Sequence, residues 1–145
     1  MHKTLKLIVF VTSVFITALS VAPSHAGELS VAIKSELANA RYVYIASTRK
    51  DGKLGKPAEI WFLYHKDAVY VGTLPTSWRA RRIKAGRPAA KIWVGKSDGP
   101  SFMATGAIVN EPDVHAVMFE TYAKKYPDGW SKFEDLYFKS LGKKN

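Results

Sequence analysis

The chain has 145 residues, of which 47% are hydrophobic, and it contains no cysteine. This composition is ordinary for one folded domain and too apolar for a disordered chain. The lack of cysteine excludes a disulfide scaffold, a thiolate metal site, an iron–sulfur cluster and a cysteine nucleophile. The formal net charge of +10 indicates anionic partners, such as a phosphate-bearing ligand.

The N-terminal segment has the pattern of a secretory signal peptide. Lys3 and Lys6 precede a largely apolar stretch, which closes with small residues at Ala26. We therefore predict a signal over residues 1–26 and an exported domain, periplasmic or secreted, over residues 27–145. An uncleaved anchor is the alternative, but the stretch is marginal in length for a span of ~20 residues. After cleavage the chain keeps 20 basic and 12 acidic residues, a charge of +8.

The first half of the exported domain predicts one helix and three strands. Leu29, Ile33 and Leu37 share one face of a helix over residues 28–39. Aromatic and β-branched residues then predict strands over residues 42–46, 57–64 and 68–72. Asp51-Gly52 favours a hairpin turn between the first two strands. Short turns join all three strands, so the pattern predicts an antiparallel meander.

The second half predicts three helices and two strands. Ser77 is a candidate N-cap for a helix over residues 78–85, and Gly86 is a candidate stop. The remaining elements are strands over 89–94 and 101–109, and helices over 113–126 and 130–141, with a break at 127–129. This order predicts an α+β fold: a small antiparallel β-barrel of five to six strands with flanking helices.

One basic segment is the best candidate for chemistry. Residues 68–97 contain seven Lys and Arg residues and no acid. A loop with hydroxyl groups leads to a helix start, where Ser77 can donate to an anion and free N–H groups are available. Arg79 and Arg82 are three residues apart, share a helical face and can grip phosphate oxygens. The alternative interpretation is an ordinary solvated basic helix.

The order of these features resembles a known family. The features are an opening helix, the Asp51-Gly52 turn, a strand from Pro57 to Phe62, the segment Ser77-Trp78-Arg79 and a helix start at Asn110 to Asp113. Together they are similar to the pyridoxamine 5'-phosphate oxidase-like FMN-binding split-barrel family, in which Ser/Thr-x-Lys/Arg after the third strand holds the flavin phosphate. The resemblance spans Leu29 to Tyr126 and implies a split barrel that forms a homodimer.

The resemblance also implies site residues. Phosphate contacts are implied for Ser77, Arg79 and Arg82. The residues implied to border the isoalloxazine ring are Glu59, Ile60, Trp61 and Phe62. Thr73 and Leu74 are implied to lie beside the ribityl chain. For Trp61 and Phe62 the alternative is plain core packing, which is common for aromatic residues in a central strand.

Two departures from the family narrow the expected activity. Pyridoxamine phosphate oxidases carry a C-terminal segment with Arg and His that grips the substrate, and residues 138–145 lack it, which argues against vitamin B6 oxidation. No twin-arginine pair lies near Lys3 and Lys6, so the chain is expected to cross the membrane unfolded and to acquire its cofactor outside. The resemblance makes FMN the first cofactor hypothesis, and a deazaflavin or haem, as in related barrels, is the alternative.

Three functions follow as hypotheses. The first is an FMN-binding oxidoreductase that acts on a small-molecule substrate, with no catalytic acid or base assigned. The second is a non-catalytic exported binding protein for flavin, haem or another anionic ligand. The third is polyanion binding through residues 79–96, against which the signal argues, so we expect no nucleic-acid partner and no membrane association after cleavage. No metal site is predicted, because His65 and His115 have no second ligand at a suitable spacing.

Overall fold

The computed structural model describes residues 6–11, 15–20 and 29–140, with side chains described for residues 29–137. In these ranges the helices are α1 (Val31–Asn39), α2 (Trp78–Lys84), α3 (Pro112–Lys125) and α4 (Pro127–Ser140). The strands are β1 (Lys6–Val11), β2 (Phe15–Ser20), β3 (Val43–Ser47), β4 (Ala58–Ile60), β5 (Leu63–His65), β6 (Ala68–Thr73), β7 (Ala89–Val94), β8 (Ser101–Thr105) and β9 (Ala107–Ile108). The predicted α+β class is confirmed.

The strands form two sheets. A four-stranded antiparallel sheet has the order β4-β3-β7-β8, with Val43 opposite both Ile60 and Val94. A five-stranded sheet has the order β2-β9-β1-β6-β5. Its β1–β2, β2–β9 and β5–β6 pairs are antiparallel, whereas β1 runs parallel to β6 and β9. In the described part of the chain these two sheets do not close into a barrel, so the predicted closure is not observed.

The predicted meander is wrong, because the strand expected over residues 57–64 is divided in two. β4 pairs with β3 in one sheet, and β5 pairs with β6 in the other. Between them, Trp61 O accepts a hydrogen bond from Tyr122 OH (3.0 Å) and Phe62 N donates to Tyr126 OH (3.1 Å). Two tyrosines of the α3 region thus replace the strand partners that this backbone would otherwise need.

Among residues 29–137 the hydrophobic core lies in two clusters. One cluster joins α1 to the sheets and contains Leu29, Leu37, Val43 and Ile92, with Ile33 packed against it. Leu37 and Ile33 confirm the predicted inner face of the first helix, whereas Leu29 is buried but precedes the helix, which begins at Val31. The second cluster joins α3 and α4 to β5 and β6; its buried α3 members are Val114, Met118 and Tyr122.

Local signals at the helix ends are largely confirmed. Ser77 Oγ accepts from Ala80 N (3.2 Å), as an N-cap does, and Gly86 has a φ of 77° just after α2. The predicted break between the last two helices is observed, but it lies at Tyr126 rather than at residues 127–129, because Pro127 is the first residue of α4. Proline fits there since a first-turn N–H needs no helical partner. Only Tyr126 separates α3 from α4.

Two strands lie inside the segment predicted to be a secretory signal. The backbone of β1 and β2 pairs with β6 and β9, as given above. The predicted cleavage position after Ala26 and the C-terminal residues 141–145 lie outside the described residues. Among the helices that the structure describes, none has the length and apolar character needed to cross a membrane.

Candidate functional site

The end of β6 and the start of α2 form a small hydroxyl network. Thr73 Oγ1 donates to Ser77 Oγ (2.9 Å), and Ala80 N donates to the same oxygen (3.2 Å). The Thr73–Ser77 pair has two hydroxyl protons, and the bond between them uses one. The second proton is available to an acceptor that approaches from outside the pair.

Arg79 brings a positive charge to this network. Its Nη1 donates to Thr73 Oγ1 (3.1 Å), and no ion pair of the described residues includes it. Burial lowers the pKa of Arg79 to about 10, so the half-buried guanidinium remains protonated at neutral pH. A desolvated charge without an opposite charge is costly, and an external anion would offset that cost.

Arg82 is hydrogen-bonded to Ser47, the last residue of β3. Its Nη1 donates to Ser47 Oγ (2.8 Å) and to the Ser47 carbonyl (3.1 Å). A Cβ on Gly55 would lie 2.7 Å from Arg82 Nη1, so the absence of a side chain at Gly55 permits this approach. Arg82 is therefore fixed against β3 and the loop that leads to β4.

These groups face a common cavity of about 460 Å³, which we call the cationic cavity. Its lining residues are Ile45, Ser47, Arg49, Gly55, Lys56, Ala58, Ser77, Trp78, Arg79 and Arg82. Four of these are cationic and none is acidic. Arg49 is paired with Asp51 (2.7 Å), whereas the ion pairs among the described residues do not include the other three. The lining is suited to a ligand with at least one strongly anionic group.

A second cavity of about 440 Å³ lies nearby, and we call it the apolar cavity. Its lining residues are Glu59, Ile60, Trp61, Gly72, Tyr122, Gly129, Lys132, Phe133 and Leu136. Trp61 is stacked on Tyr126, with ring centroids 4.4 Å apart and an interplanar angle of 4°. Gly129 allows α4 to approach, because a Cβ there would lie 2.5 Å from the Trp61 ring. The result is a mainly apolar wall with three aromatic side chains, Trp61, Tyr122 and Phe133.

The two cavities are bordered by the same two strands, β4 and the end of β6. β4 contributes Ala58 to the cationic cavity and the next two residues, Glu59 and Ile60, to the apolar cavity. At the opposite border, Gly72 lines the apolar cavity, and Thr73 bonds to the groups of the cationic cavity. An anionic group and a flat apolar group of one ligand could therefore occupy neighbouring sites.

The structure brings most of the predicted site residues to these cavities. Ser77, Arg79 and Arg82 line the cationic cavity. The residues predicted to border a ring that line the apolar cavity are Glu59, Ile60 and Trp61. Glu59 also accepts a hydrogen bond from Tyr44 OH, which raises the pKa of Tyr44.

Three further predicted residues lie outside both linings. Phe62 is fully buried in the core, with Lys125 Nζ 3.7 Å from its ring centroid. Thr73 is buried and acts through Ser77 and Arg79. Leu74 is exposed in the loop before α2.

Sequence reasoning missed Ser47, Gly55 and Lys56 in the cationic cavity, and Tyr122 and Gly129 in the apolar cavity. Ser47, Gly55 and Lys56 lie more than twenty residues before Arg79, and Tyr122 and Gly129 lie more than fifty residues after Ile60. A turn after β3 was visible in the sequence, but no local pattern indicates that it faces α2.

Neither described histidine, His65 or His115, is part of either lining. His115 Nδ1 lies 2.8 Å from Tyr137 OH, and burial lowers the pKa of His115 to about 4. His65 ends β5 beside the Tyr70 ring. No group of three or more metal-ligating side chains occurs in the described part of the chain.

Comparison with known proteins adds no identification: no family model, no curated protein and no solved structure matches the chain.

Proposed function

We propose that the chain binds FMN and acts as an oxidoreductase on a small-molecule substrate, in the manner of pyridoxamine phosphate oxidase-like proteins. The proposal depends on one observation: a cationic cavity and an apolar cavity are both lined by residues of the same strand, β4. FMN joins a phosphate dianion to a flat, largely apolar ring, which is the combination that these cavities suit.

The phosphate is assigned to the cationic cavity. Arg79 supplies a desolvated charge, and Arg82 supplies a second guanidinium fixed by Ser47. The Thr73–Ser77 hydroxyl pair supplies a donor. Charge-assisted hydrogen bonds of this kind contribute about 1.5–3 kcal/mol each.

The ring is assigned to the apolar cavity, beside Ile60 and the stacked Trp61. Small-molecule sites are mostly apolar cavities with a few placed polar groups. Burial raises the pKa values of Tyr122 and Tyr126, so both hydroxyls stay protonated and keep their hydrogen bonds. The wall would therefore be preorganised before a ring enters.

FMN, when bound, supplies hydride or electron transfer chemistry. The residues of this chain bind and orient the ring and exclude water from one of its faces. Histidine, cysteine and methionine are not among the described residues that line the cavities. That lining favours a flavin or deazaflavin over haem, which commonly takes its axial ligand from one of these residues.

We also propose that the two sheets belong to a split barrel and that the protein is a homodimer. Support comes from the outer face of the four-stranded sheet, where Tyr44 lies opposite Trp93 and Met103 is exposed. Aromatic residues and methionine are enriched at protein interfaces. Light scattering that gives the mass of one chain would contradict the dimer.

A non-catalytic, exported flavin-binding protein is the second candidate. It is favoured by the same lining, because the described residues that line the two cavities supply cations for an anion but no histidine as an acid or base. Addition of NAD(P)H to the FMN-bound protein distinguishes the two: bleaching of the flavin absorbance with turnover supports the oxidoreductase. Tight binding without reduction supports the carrier.

The experiment that tests FMN binding is a titration of the purified protein with FMN and with riboflavin, which lacks the phosphate. We expect FMN to bind more tightly by a factor of about ten or more, the value of one charged hydrogen bond. The visible spectrum of protein isolated from its own compartment provides an independent readout. Equal affinity for the two flavins, or no affinity for either, would contradict the proposal.

A further inference from the structure

We infer that the cationic cavity contains a second anionic subsite followed by a base-stacking surface, so that it accepts a nucleoside diphosphate unit. The unit could be free ADP or the ADP portion of a flavin adenine dinucleotide. This inference rests on the proposed anion-binding function of the cavity and extends it to the ligand class.

The first support is an excess of positive charge. A phosphate monoester carries about −1.5 to −2 at neutral pH, which Arg79 and Arg82 together match. Lys56 lines the same cavity as a third cation, and the ion pairs of the described residues do not include it. Arg49 is a different case, because Asp51 already neutralises it at 2.7 Å. One unpaired cation therefore remains for a second phosphate.

The position of Lys56 suits a phosphate joined directly to the first. Gly55 contacts Arg82, since a Cβ there would lie 2.7 Å from Arg82 Nη1. Gly55 N also donates to the Ser47 carbonyl (2.9 Å), the same oxygen that Arg82 binds. Lys56 is the next residue in the chain and lines the same cavity as Arg82. The cavity therefore has a cation for each of the two linked phosphates of a diphosphate.

The second support is Trp78, which lines the cavity although 69% of its surface is exposed. The guanidinium carbons of Arg81 and Arg82 lie 5.5 and 5.6 Å from the centroid of its ring. An exposed aromatic ring among cations is the arrangement that stacks nucleobases in nucleic-acid-binding proteins. A base attached to the second phosphate could stack on this ring.

The test compares three ligands, FMN, FAD and ADP, by calorimetric titration of the purified protein at constant ionic strength. We expect ADP to bind and FAD to bind more tightly than FMN. Trp78→Ala should weaken FAD and ADP by about tenfold, the value of one stacked base, and weaken FMN, which has no second base, by less. Trp78→Phe should restore the FAD preference.

Lys56→Ala should also weaken FAD and ADP selectively, and Lys53→Ala is its matched control. Lys53 is an exposed residue of the same loop that does not line the cavity, so its removal tests general electrostatic attraction. Both Trp78 and Lys56 are exposed, and their replacement removes no core contact.

The outcomes separate this inference from the proposed function. If FMN binds but FAD is no tighter and ADP does not bind, the inference is overturned and the flavin proposal stands. If ADP binds through Trp78 and Lys56 while FMN does not bind, the subsite stands and the flavin proposal fails. A Trp78→Ala protein that keeps its FAD preference, or equal losses for all three ligands, also overturns the inference.

Discussion

The Arg79 guanidinium has surroundings that favour an added anion. Its one described hydrogen bond goes to a neutral hydroxyl, that of Thr73, and burial lowers its pKa to about 10. The charge therefore destabilises the folded protein when no anion is bound, and a bound phosphate would reverse this effect. Arg81 differs, because it is exposed on the same helix and does not line the cavity.

Arg79→Ala is expected to weaken FMN binding by about 1.5–3 kcal/mol, the value of a charge-assisted hydrogen bond, and to leave riboflavin binding unchanged. The unliganded variant should be as stable as the wild type or more stable, because a half-buried charge is removed. Titration with both flavins and a thermal melt without ligand measure these effects, and Arg81→Ala is the control. Equal losses for FMN and riboflavin would place Arg79 outside the phosphate site.

The lowered pKa of His115 predicts that the free energy of unfolding depends on pH. Burial lowers the pKa of His115 from 6.5 to about 4 in the folded protein, so the unfolded chain takes up a proton first as the pH falls. The free energy of unfolding is therefore highest, as far as His115 is concerned, above pH 6.5, and it decreases as the pH falls from 6.5 to about 4.

We expect the urea midpoint of the wild type to fall between pH 7.5 and pH 4.5 by more than that of His115→Gln. Denaturation curves at several pH values measure the difference, and His65→Gln controls for the removal of a histidine. Parallel curves for the wild type and His115→Gln would contradict the assignment.

At the scale of elements, the link between β4 and β5 divides residues that would otherwise form one strand of an ordinary hairpin. Tyr122 and Tyr126 bind the backbone of Trp61 and Phe62, and Tyr126 OH also donates to the Arg41 carbonyl (2.6 Å). These tyrosine hydroxyls thus stabilise the break between β4 and β5. The close approach of α4 to Trp61 depends on Gly129.

Gly129→Ala is expected to destabilise the protein by about 1–3 kcal/mol, the range for overpacking. In a free helix the same change would stabilise by about 0.5–1 kcal/mol, so the sign of the effect is diagnostic. Gly129 does not have a positive φ, and the new Cβ would lie 2.5 Å from the Trp61 ring. Chemical denaturation measures the change, and the exposed Ser131→Ala is the control. Increased stability would show that α4 does not contact Trp61.

At the scale of the whole molecule, the predicted signal and the sheet arrangement concern the same residues. β1 lies between β6 and β9 in the five-stranded sheet, and it is part of residues 1–26. Cleavage after Ala26 would remove β1 and β2 together and leave one edge of β6 and both edges of β9 without those partners. Such edges pair readily with other chains.

We expect protein recovered from outside the cytoplasm to have the mass of residues 27–145, as intact-mass spectrometry can show. Hydrogen exchange at the backbone amides of β6 and β9 should be faster in this shortened protein than in the full chain, because the β1–β2 hydrogen bonds are lost. Recovery of the full-length mass would contradict cleavage. Equal exchange rates in the two forms would contradict the β1 pairing.

Much of the local structure was predictable from single residues. The Ser77 cap, the positive φ values of Gly52 and Gly86, and the buried face of α1 each depend on neighbours within a few positions. The division of β4 from β5 was not predictable, because residues 57–64 read as one apolar strand and the hydroxyls that interrupt it come from Tyr122 and Tyr126. The exact position of the break beside Pro127 was not predictable, because proline marks both the end and the start of helices.

The sequence by itself determined the α+β class, the two ends of α2 and the clustering of positive charge from Arg79 onward. These properties depend on composition and on interactions between near neighbours, which the order of residues displays directly. Only the tertiary structure decided which strands share a sheet and that Ser47, Gly55 and Lys56 face Ser77 and Arg79 across one cavity. Such contacts join residues far apart in the chain, and they arise from the packing of the whole core rather than from any local pattern.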